Sequence, residues 1–442
     1  VKYDIAIIGG GMVGASLGVA LAPLGLDVAI IEAVAHDSAL QPSFDERTTA
    51  LSNGSRRILE TLGTWPKVAG AASAIRKIHI SDQGRFGFAR IEAAEQGLEA
   101  LGYVVPNRVL GAALWSQLQG PAGQGGAPLG AGPRSTDARV AAPRLYCPAQ
   151  VTRVTPRTEE VELQIDTAQG TSRIAAKLVV AADGINSAVR SALGVAAESR
   201  DYHQTAVITT VLPKNFHEHV AFERFTSDGP LALLPLDDGR CTLVLTLRSE
   251  AVAAAMAWSD EQFLAELQRR FGFRLGRFLK VGRRFAYPLS LSRADATSAA
   301  RCAIIGNAAQ GLHPVAGMGF NLGLRDVASL AELIAEHCAR QPFDAGARPL
   351  LDAYDAWRAK DRAGVIAFTD GLIRVFSNPL GSVRALRNMG LLAFDLLPPA
   401  KAALSRLSAG AGGRVPKLAR GVALTRGIAQ TSGIERTRGA DA

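Results

Sequence analysis

Gly9, Gly11 and Gly14 stand in the pattern GxGxxG, between an alternating apolar run, Lys2–Ile8, and a helical pattern that continues to Leu21. In that position the first glycine permits a tight turn, the second lets backbone approach a pyrophosphate, and the third allows close helix–strand packing. The helix N-terminus then offers free N–H groups and the positive end of its dipole to phosphate. Alone, the glycines describe only a sharp turn. Glu32 adds the second half of a dinucleotide site: it falls eighteen residues after Gly14, at the end of a second predicted strand, Asp27–Glu32, where a carboxylate can accept from ribose hydroxyls.

Two later segments repeat the theme of a strand that ends in polar residues. Ala182-Asp183-Gly184-Ile185-Asn186-Ser187-Ala188-Val189-Arg190 follows the strand Leu178–Ala181 and gathers an acid, a hydroxyl and a guanidinium at one sheet edge. Asp183 and Ser187 are equally suited to cap a helix there. Ile304-Ile305-Gly306-Asn307-Ala308-Ala309-Gln310 runs on through His313-Pro314 to Gly317-Met318-Gly319-Phe320-Asn321-Leu322-Gly323. This predicts a strand, a loop and a long helix starting near Phe320 to Leu324, a helix start able to stabilise negative charge.

The elements that must hold these motifs read as β-turn-α-β at the start, helices over Asn53–Leu62 and Val109–Leu118, and strands from Ala141 to Val180. An antiparallel block follows over 204–250, with a tight turn at Ser227–Pro230, then helices over Ser259–Phe271 and Arg325–Arg340. Residues 120–136, rich in Gly and Pro, predict a disordered surface loop. A parallel start followed by an antiparallel block predicts an α/β protein of two interleaved lobes. With 442 residues and 48% hydrophobic content there is room for such a core.

Cys147, Cys241, Cys302 and Cys338 are scattered without a CxxC pair, which fits inert thiols in a reducing cytoplasm and no metal site. The apolar stretch Ile5–Ile31 is broken by six glycines, Pro23 and Asp27, so it reads as neither a signal peptide nor a span of roughly 18 apolar residues. Residues 371–442 hold eleven Lys/Arg against three Asp/Glu, a surplus of eight within a net charge of +9. The basic C-terminal region points to an anionic surface. No groove-reading motif accompanies the charge, so nucleic acid is not expected.

Taken together, the three motifs resemble the flavoprotein monooxygenases of the para-hydroxybenzoate hydroxylase fold. Phe44-Asp45-Glu46-Arg47, Gly102-Tyr103-Val104-Val105, Ala221-Phe222-Glu223-Arg224-Phe225-Thr226 and Gly229-Pro230-Leu231-Ala232-Leu233-Leu234-Pro235 narrow the likeness to ubiquinone-biosynthesis hydroxylases. The run Gly306–Pro314 is most similar to the branch acting on 2-polyprenyl-6-methoxyphenol. The resemblance covers roughly residues 3–400.

It implies a discontinuous Rossmann-like FAD-binding domain (1–75, 104–200, 296–350), an antiparallel-sheet substrate domain (76–103, 201–295), a C-terminal helical region (351–408) and a disordered basic tail (409–442). It implies FAD as cofactor, NADH or NADPH as co-substrate, and hydroxylation of a polyprenylated phenol by dioxygen. Gly9, Gly11, Gly14 and Glu32 would hold the ADP half of FAD, with Arg47, Arg108 and Asp183 also on the cofactor. Asn307 takes the place of a usual aspartate at the ribityl chain, and Gln310 that of a usual histidine. Pro314 would line the substrate side of the flavin, and Gly317, Gly319 and Asn321 its pyrimidine edge. The implied location is cytoplasmic, peripheral at the inner membrane, possible company being other ubiquinone-biosynthesis proteins. Another flavin reaction on the same fold, or a flavin-bearing structural subunit, are the alternatives.

Some residues carry two readings. His313 is a phenol base or a structural hydrogen-bonder. Glu223-Arg224 is a solvated ion pair or part of the substrate domain. The four tryptophans read as packing. Over 380–397, Leu386, Met389, Ala393 and Leu397 fall on one helix face with Arg384, Asn388 and Asp395 opposite, followed by Lys401, Arg406, Arg414, Lys417 and Arg420. That helix either anchors the protein at a membrane surface or packs its apolar face on the protein body.

Overall fold

The computed structural model describes residues 1–35, 38, 47–120, 142–313, 317–339, 342–377, 381–410 and 413–425. The expected loop at 120–136 therefore lies outside the described residues from 121 on, as does Pro314.

Lys2–Ile8 is the middle strand of an eight-stranded sheet, parallel to Val28–Ile31 on one side and to Gly170–Ala181 on the other. Its near-continuous apolar run suits a strand covered on both faces. One face packs on helices Met12–Leu21, Asn107–Leu118 and Met318–Cys338. The other shares an apolar cluster with the antiparallel strands Ala149–Pro156 and Val161–Thr167, which continue the sheet from the first half of Gly170–Ala181. Cys302–Ile304 joins the same sheet beside Val179–Ala181, so all three motifs leave neighbouring strands at one edge.

The second sheet has nine strands, with the order 310–311, 285–294, 197–213, 241–248, 230–235, 220–225, 77–82, 88–92 along its main path. It is antiparallel apart from the pairing of Val220–Phe225 with Lys77–Asp82. One face carries Phe222, Leu233, Leu243 and Leu245 against the helix Asp260–Phe271. That helix starts where it does because Ser259 and Gln262 form a capping box. Between the two large sheets lies a three-stranded one, Thr48–Ser52, Gly102–Pro106 and Ser73–Ile75. The architecture is mixed α/β: a discontinuous Rossmann-like half, an antiparallel half and C-terminal helices Arg348–Ser377, Gly381–Leu396 and Pro398–Ala409.

Two expectations are corrected here. The long helix begins at Met318, earlier than read, because Gly317 adopts φ +59° and turns the chain directly into it. Residues 413–425 are not a frayed tail: Leu418, Ala419 and Leu424 are buried in the main core. Arg414 pairs with Glu332 and Glu336 and lies over Trp357, and the Lys417 amide donates to Glu332. A composition rich in Gly and Arg hid those partners.

The helix Gly381–Leu396 is amphipathic, as its periodicity predicts, but polar side chains turn inward beside the buried Leu391. Arg387 pairs with Asp82, both under a tenth exposed; Asn388 accepts from the Gly87 amide at 2.9 Å; Asp395 accepts from the Arg90 amide at 2.7 Å. Leu386, Met389 and Leu396 face outward, 68%, 62% and 78% exposed. Of the two readings of this helix, packing of its apolar face on the protein body is the one the structure excludes. Lys401 is likewise internal, paired with Glu95 and Asp395.

Candidate functional site

The strand Lys2–Ile8 delivers Gly9 at φ +102°, where a Cβ would run into the Ala182 carbonyl; a Cβ on Gly14 would strike the Gly9 carbonyl. The turn is therefore closed to any residue but glycine at both positions. Gly11 begins the helix Met12–Leu21 with no side-chain cap, which leaves its first N–H groups open to an anion. Glu32 is buried at the end of its strand. Its Oε2 accepts from the Gly10 amide at 2.6 Å and its Oε1 from the Val34 amide at 2.8 Å. A carboxylate retains further lone pairs for ribose hydroxyls, so the acid both fixes the turn and stays able to bind.

Trp115, read from sequence as packing, donates its indole N–H to the Gly10 carbonyl at 3.0 Å. Nothing local in the sequence signals this, since the pair is 105 residues apart.

Asp183 lies in the adjoining loop. Its Oδ2 accepts from the Val189 amide at 3.1 Å, while its Oδ1 is buried with no partner among the described residues. An orphaned buried carboxylate oxygen is costly unless a ligand donates to it. Ser187 caps the short helix Ala188–Ala192, so capping and an open acid coexist. Arg190 sends its guanidinium to the carbonyls of Ala308 (2.7 Å) and Ile185 (3.2 Å), tying the second motif to the third. The closed glycine turn, the uncapped helix start and the orphaned oxygen together fit the dinucleotide half of FAD.

In the third motif Asn307 is exposed on the loop after Cys302–Ile304, turned away from protein. Gln310 points the other way. Its Nε2 donates to Asp326 at 2.7 Å and its Oε1 accepts from Arg362 at 2.6 Å. Asp326, fully buried, also accepts from the Gly306 amide (3.0 Å) and from Arg358 (2.8 Å). Asp326, Arg358 and Arg362 thus hold the loop from behind. The only sequence signal for them was a pair of arginines four apart on the helix Arg348–Ser377.

His313 is buried, edge-on to Tyr202 with ring centroids 5.4 Å apart, and burial lowers its pKa to about 4. A neutral imidazole with so low a proton affinity is a poor base for a phenol, which favours the structural reading. Gly317 turns beside Ala50, and Gly319 has open space where a side chain would go. The Asn321 side chain is engaged within the protein. It donates to the carbonyls of Ala50 (2.8 Å) and Gly317 (2.7 Å) and accepts from the Ser52 amide (2.8 Å). With both amide hydrogens used, it staples the turn to the strand Thr48–Ser52; it has no donor left for a ring edge.

Arg47 lies 4.7 Å over the Tyr287 ring of the second sheet, bridging the two halves. Arg108 is exposed on the first turn of Asn107–Leu118, in a surface depression with Lys67 and Ser116. Glu223 and Arg224 do not pair. Arg224 faces the outer helix and donates to the Arg270 carbonyl at 2.9 Å, while Glu223 lies on the opposite face of the sheet. Neighbours in sequence on a strand point to opposite faces.

Comparison with known proteins agrees with this geometry. The FAD binding domain family matches residues 2–111 and 140–369. The ubiquinone hydroxylase UbiL of Rhodospirillum rubrum is 37% identical over 425 residues, covering 95% of this chain and 93% of its own. The 3-demethoxyubiquinol 3-hydroxylase of Escherichia coli is 33% identical, covering 89% and 94%. Among solved structures, p-nitrophenol 4-monooxygenase PnpA from Pseudomonas putida shares the fold with a TM-score of 0.73, at 18% identity over 93% of this chain and 99% of that one.

Proposed function

This chain belongs to the FAD-dependent hydroxylases of ubiquinone biosynthesis, and from that premise we propose that it hydroxylates the ring of a polyprenylated phenol of the 2-polyprenyl-6-methoxyphenol type. One atom of dioxygen enters the ring, the other leaves as water, and NADH or NADPH supplies the two electrons. The bound flavin supplies the oxygen-transfer chemistry; the chain's own residues bind, orient and exclude water. Gly9, Gly11, Gly14, Glu32 and Asp183 would hold the dinucleotide half. Arg47, Asn307, Gly317 and Gly319 would border the ring, with Pro314 beyond.

The observation that carries this reading is the inner face of the second sheet. Ala89, Ile80, Glu223, Ala232, Val244, Ile208 and Phe285 are paired in one register row, and apart from Glu223 the row is apolar. Such a wall opposite the Gly317 turn suits an aromatic ring with a hydrocarbon chain. Purified protein should release FAD on denaturation and oxidise NAD(P)H faster when a prenylated phenol is added, yielding a product heavier by one oxygen. Oxidation that ignores the phenol, or an unmodified phenol, would refute it.

The outward stripe of Gly381–Leu396 supports the further reading that this region meets the membrane surface where such a substrate resides. Leu386, Met389, Ala393, Leu396 and Leu397, with Phe86 beside them, present apolar surface to the outside. Among the described residues no helix is long and apolar enough to cross a membrane, so contact would be peripheral. Because Lys401, Arg414 and Lys417 already pair with acids of the chain, salt should release little of the protein from anionic liposomes. Leu386→Asp with Met389→Asp should release most of it.

A further inference from the structure

Glu223 is the one polar side chain in the register row described above, and its chemistry is unexplained by the fold. Its strand neighbours on the same face, Ala221 and Phe225, pack into apolar clusters, the first with Ala50, Ile78 and Val104, the second with Ile80, Tyr202 and Ile373. Ala50 in turn touches the Gly317 turn, and Tyr202 touches His313. The carboxyl therefore lies on the sheet face whose neighbouring clusters reach, through Ala50 and Tyr202, the loop assigned to the flavin. It has no hydrogen bond or ion pair among the described residues. Water reaches part of its surface, yet apolar side chains ring it, and this desolvation raises its pKa to about 7.

Other ionisable groups bordering the face are already engaged or inert, and Arg283 lies over the Phe285 ring. Arg47 lies on Tyr287, and Asp82 is paired with Arg387. Asp370 is paired with Arg200 and Arg374 and accepts from Tyr202. Burial together with Asp370 raises Tyr202 to about 12, and burial lowers His313 to about 4. Neither of these titrates between about pH 5 and 10.

We propose that Glu223 is the catalytic acid–base group for the phenol: its carboxylate accepts the phenolic hydroxyl and takes its proton as the ring is attacked. The O–H bond breaks, an Oε–H bond forms, and the electron pair left on oxygen enriches the ring at the carbon that receives the new oxygen. When the ring regains aromaticity, that carbon loses its hydrogen to water, and Glu223 returns the proton to the phenolic oxygen. The charge is thus balanced and Glu223 is restored. A half-buried acid titrating near neutrality suits both directions of transfer. The proposal rests on a phenol being the substrate.

The test uses full-length, FAD-loaded protein with a short-chain prenylated phenol and its methyl ether. Wild type should show an acid limb in kcat/KM with an inflection near 7, and Glu223→Gln should lose that limb and about a hundredfold or more in kcat. Glu223→Asp should restore part of both. Dissociation constants, read from flavin absorbance, should favour the phenol over the ether by about tenfold in wild type and scarcely at all in Glu223→Gln. Wild-type turnover and discrimination in the Gln variant would overturn the role of Glu223 and leave the substrate reading standing. A wild type that turns over no phenol would overturn both.

Discussion

Two carboxylates face each other across the logic of this molecule, Asp326 behind the flavin loop and Glu223 on the wall opposite. Asp326 is fully buried and saturated: Arg358, the Gly306 amide and Gln310 all donate to it. Glu223 stands among apolar neighbours with no donor. The contrast teaches where a protein of this kind uses its hydrogen bonds. Donors are supplied where geometry must exist before any ligand arrives, and one acceptor is left open where the ligand brings the donor.

Breaking the saturated side should have the largest effect. Asp326→Ala strands the buried Arg358 guanidinium, the Gln310 side-chain amide and the Gly306 amide, and removal of one member of a buried ion pair costs about 3–5 kcal/mol. Urea unfolding should shift by that much and FAD loading should fall with it; a shift under about 1 kcal/mol would mean the loop is held by something else. On the open side the sign reverses with pH. The folded-state pKa of Glu223 is raised from the ordinary 4.5 to about 7, so its unfavourable contribution is absent below about 4.5, develops as pH rises from there to about 7, and is full above that. Glu223→Gln should accordingly stabilise the protein by up to roughly 3 kcal/mol at pH 8 and by little at about pH 4. Equal melting temperatures at both values would show that the carboxyl is solvated after all. The smallest effect is expected at the glycine turn. Trp115→Phe keeps the packing and loses one hydrogen bond to the Gly10 carbonyl, worth about 1 kcal/mol, so the FAD dissociation constant should rise about fivefold.

The sequence made the cofactor half legible because its signals are local. A strand, a GxGxxG turn, a helix and an acid lie within about thirty residues, and the fold assembles them as read. What stayed hidden depends on distant partners. The side-chain partners of Asn321, Ala50 and Ser52, come from a strand about 270 residues away and could not be read from its own segment. The periodicity of 381–396 yielded two faces without saying which one turns inward, since Asp82 and Arg90, about 300 residues earlier, decide that. The basic surplus of the C-terminal region was counted correctly, but a count of charges does not reveal that Arg387, Lys401, Arg414 and Lys417 already have acids beside them. Glu223 and Arg224 read as a pair because adjacency in sequence suggests contact, which the alternation of a strand forbids.

The inward-facing polar groups of the helix Gly381–Leu396 have a consequence for unwanted strand addition. Phe88–Glu92 is the last strand of the second sheet, and an outermost strand is a template on which a foreign strand can add. Asn388 takes the amide of Gly87 and Asp395 that of Arg90, so two side chains occupy sites that another chain's backbone would otherwise claim. The helix is in this sense a guard against self-assembly. A protein cut before residue 381 should form β-rich aggregates during purification even with FAD bound.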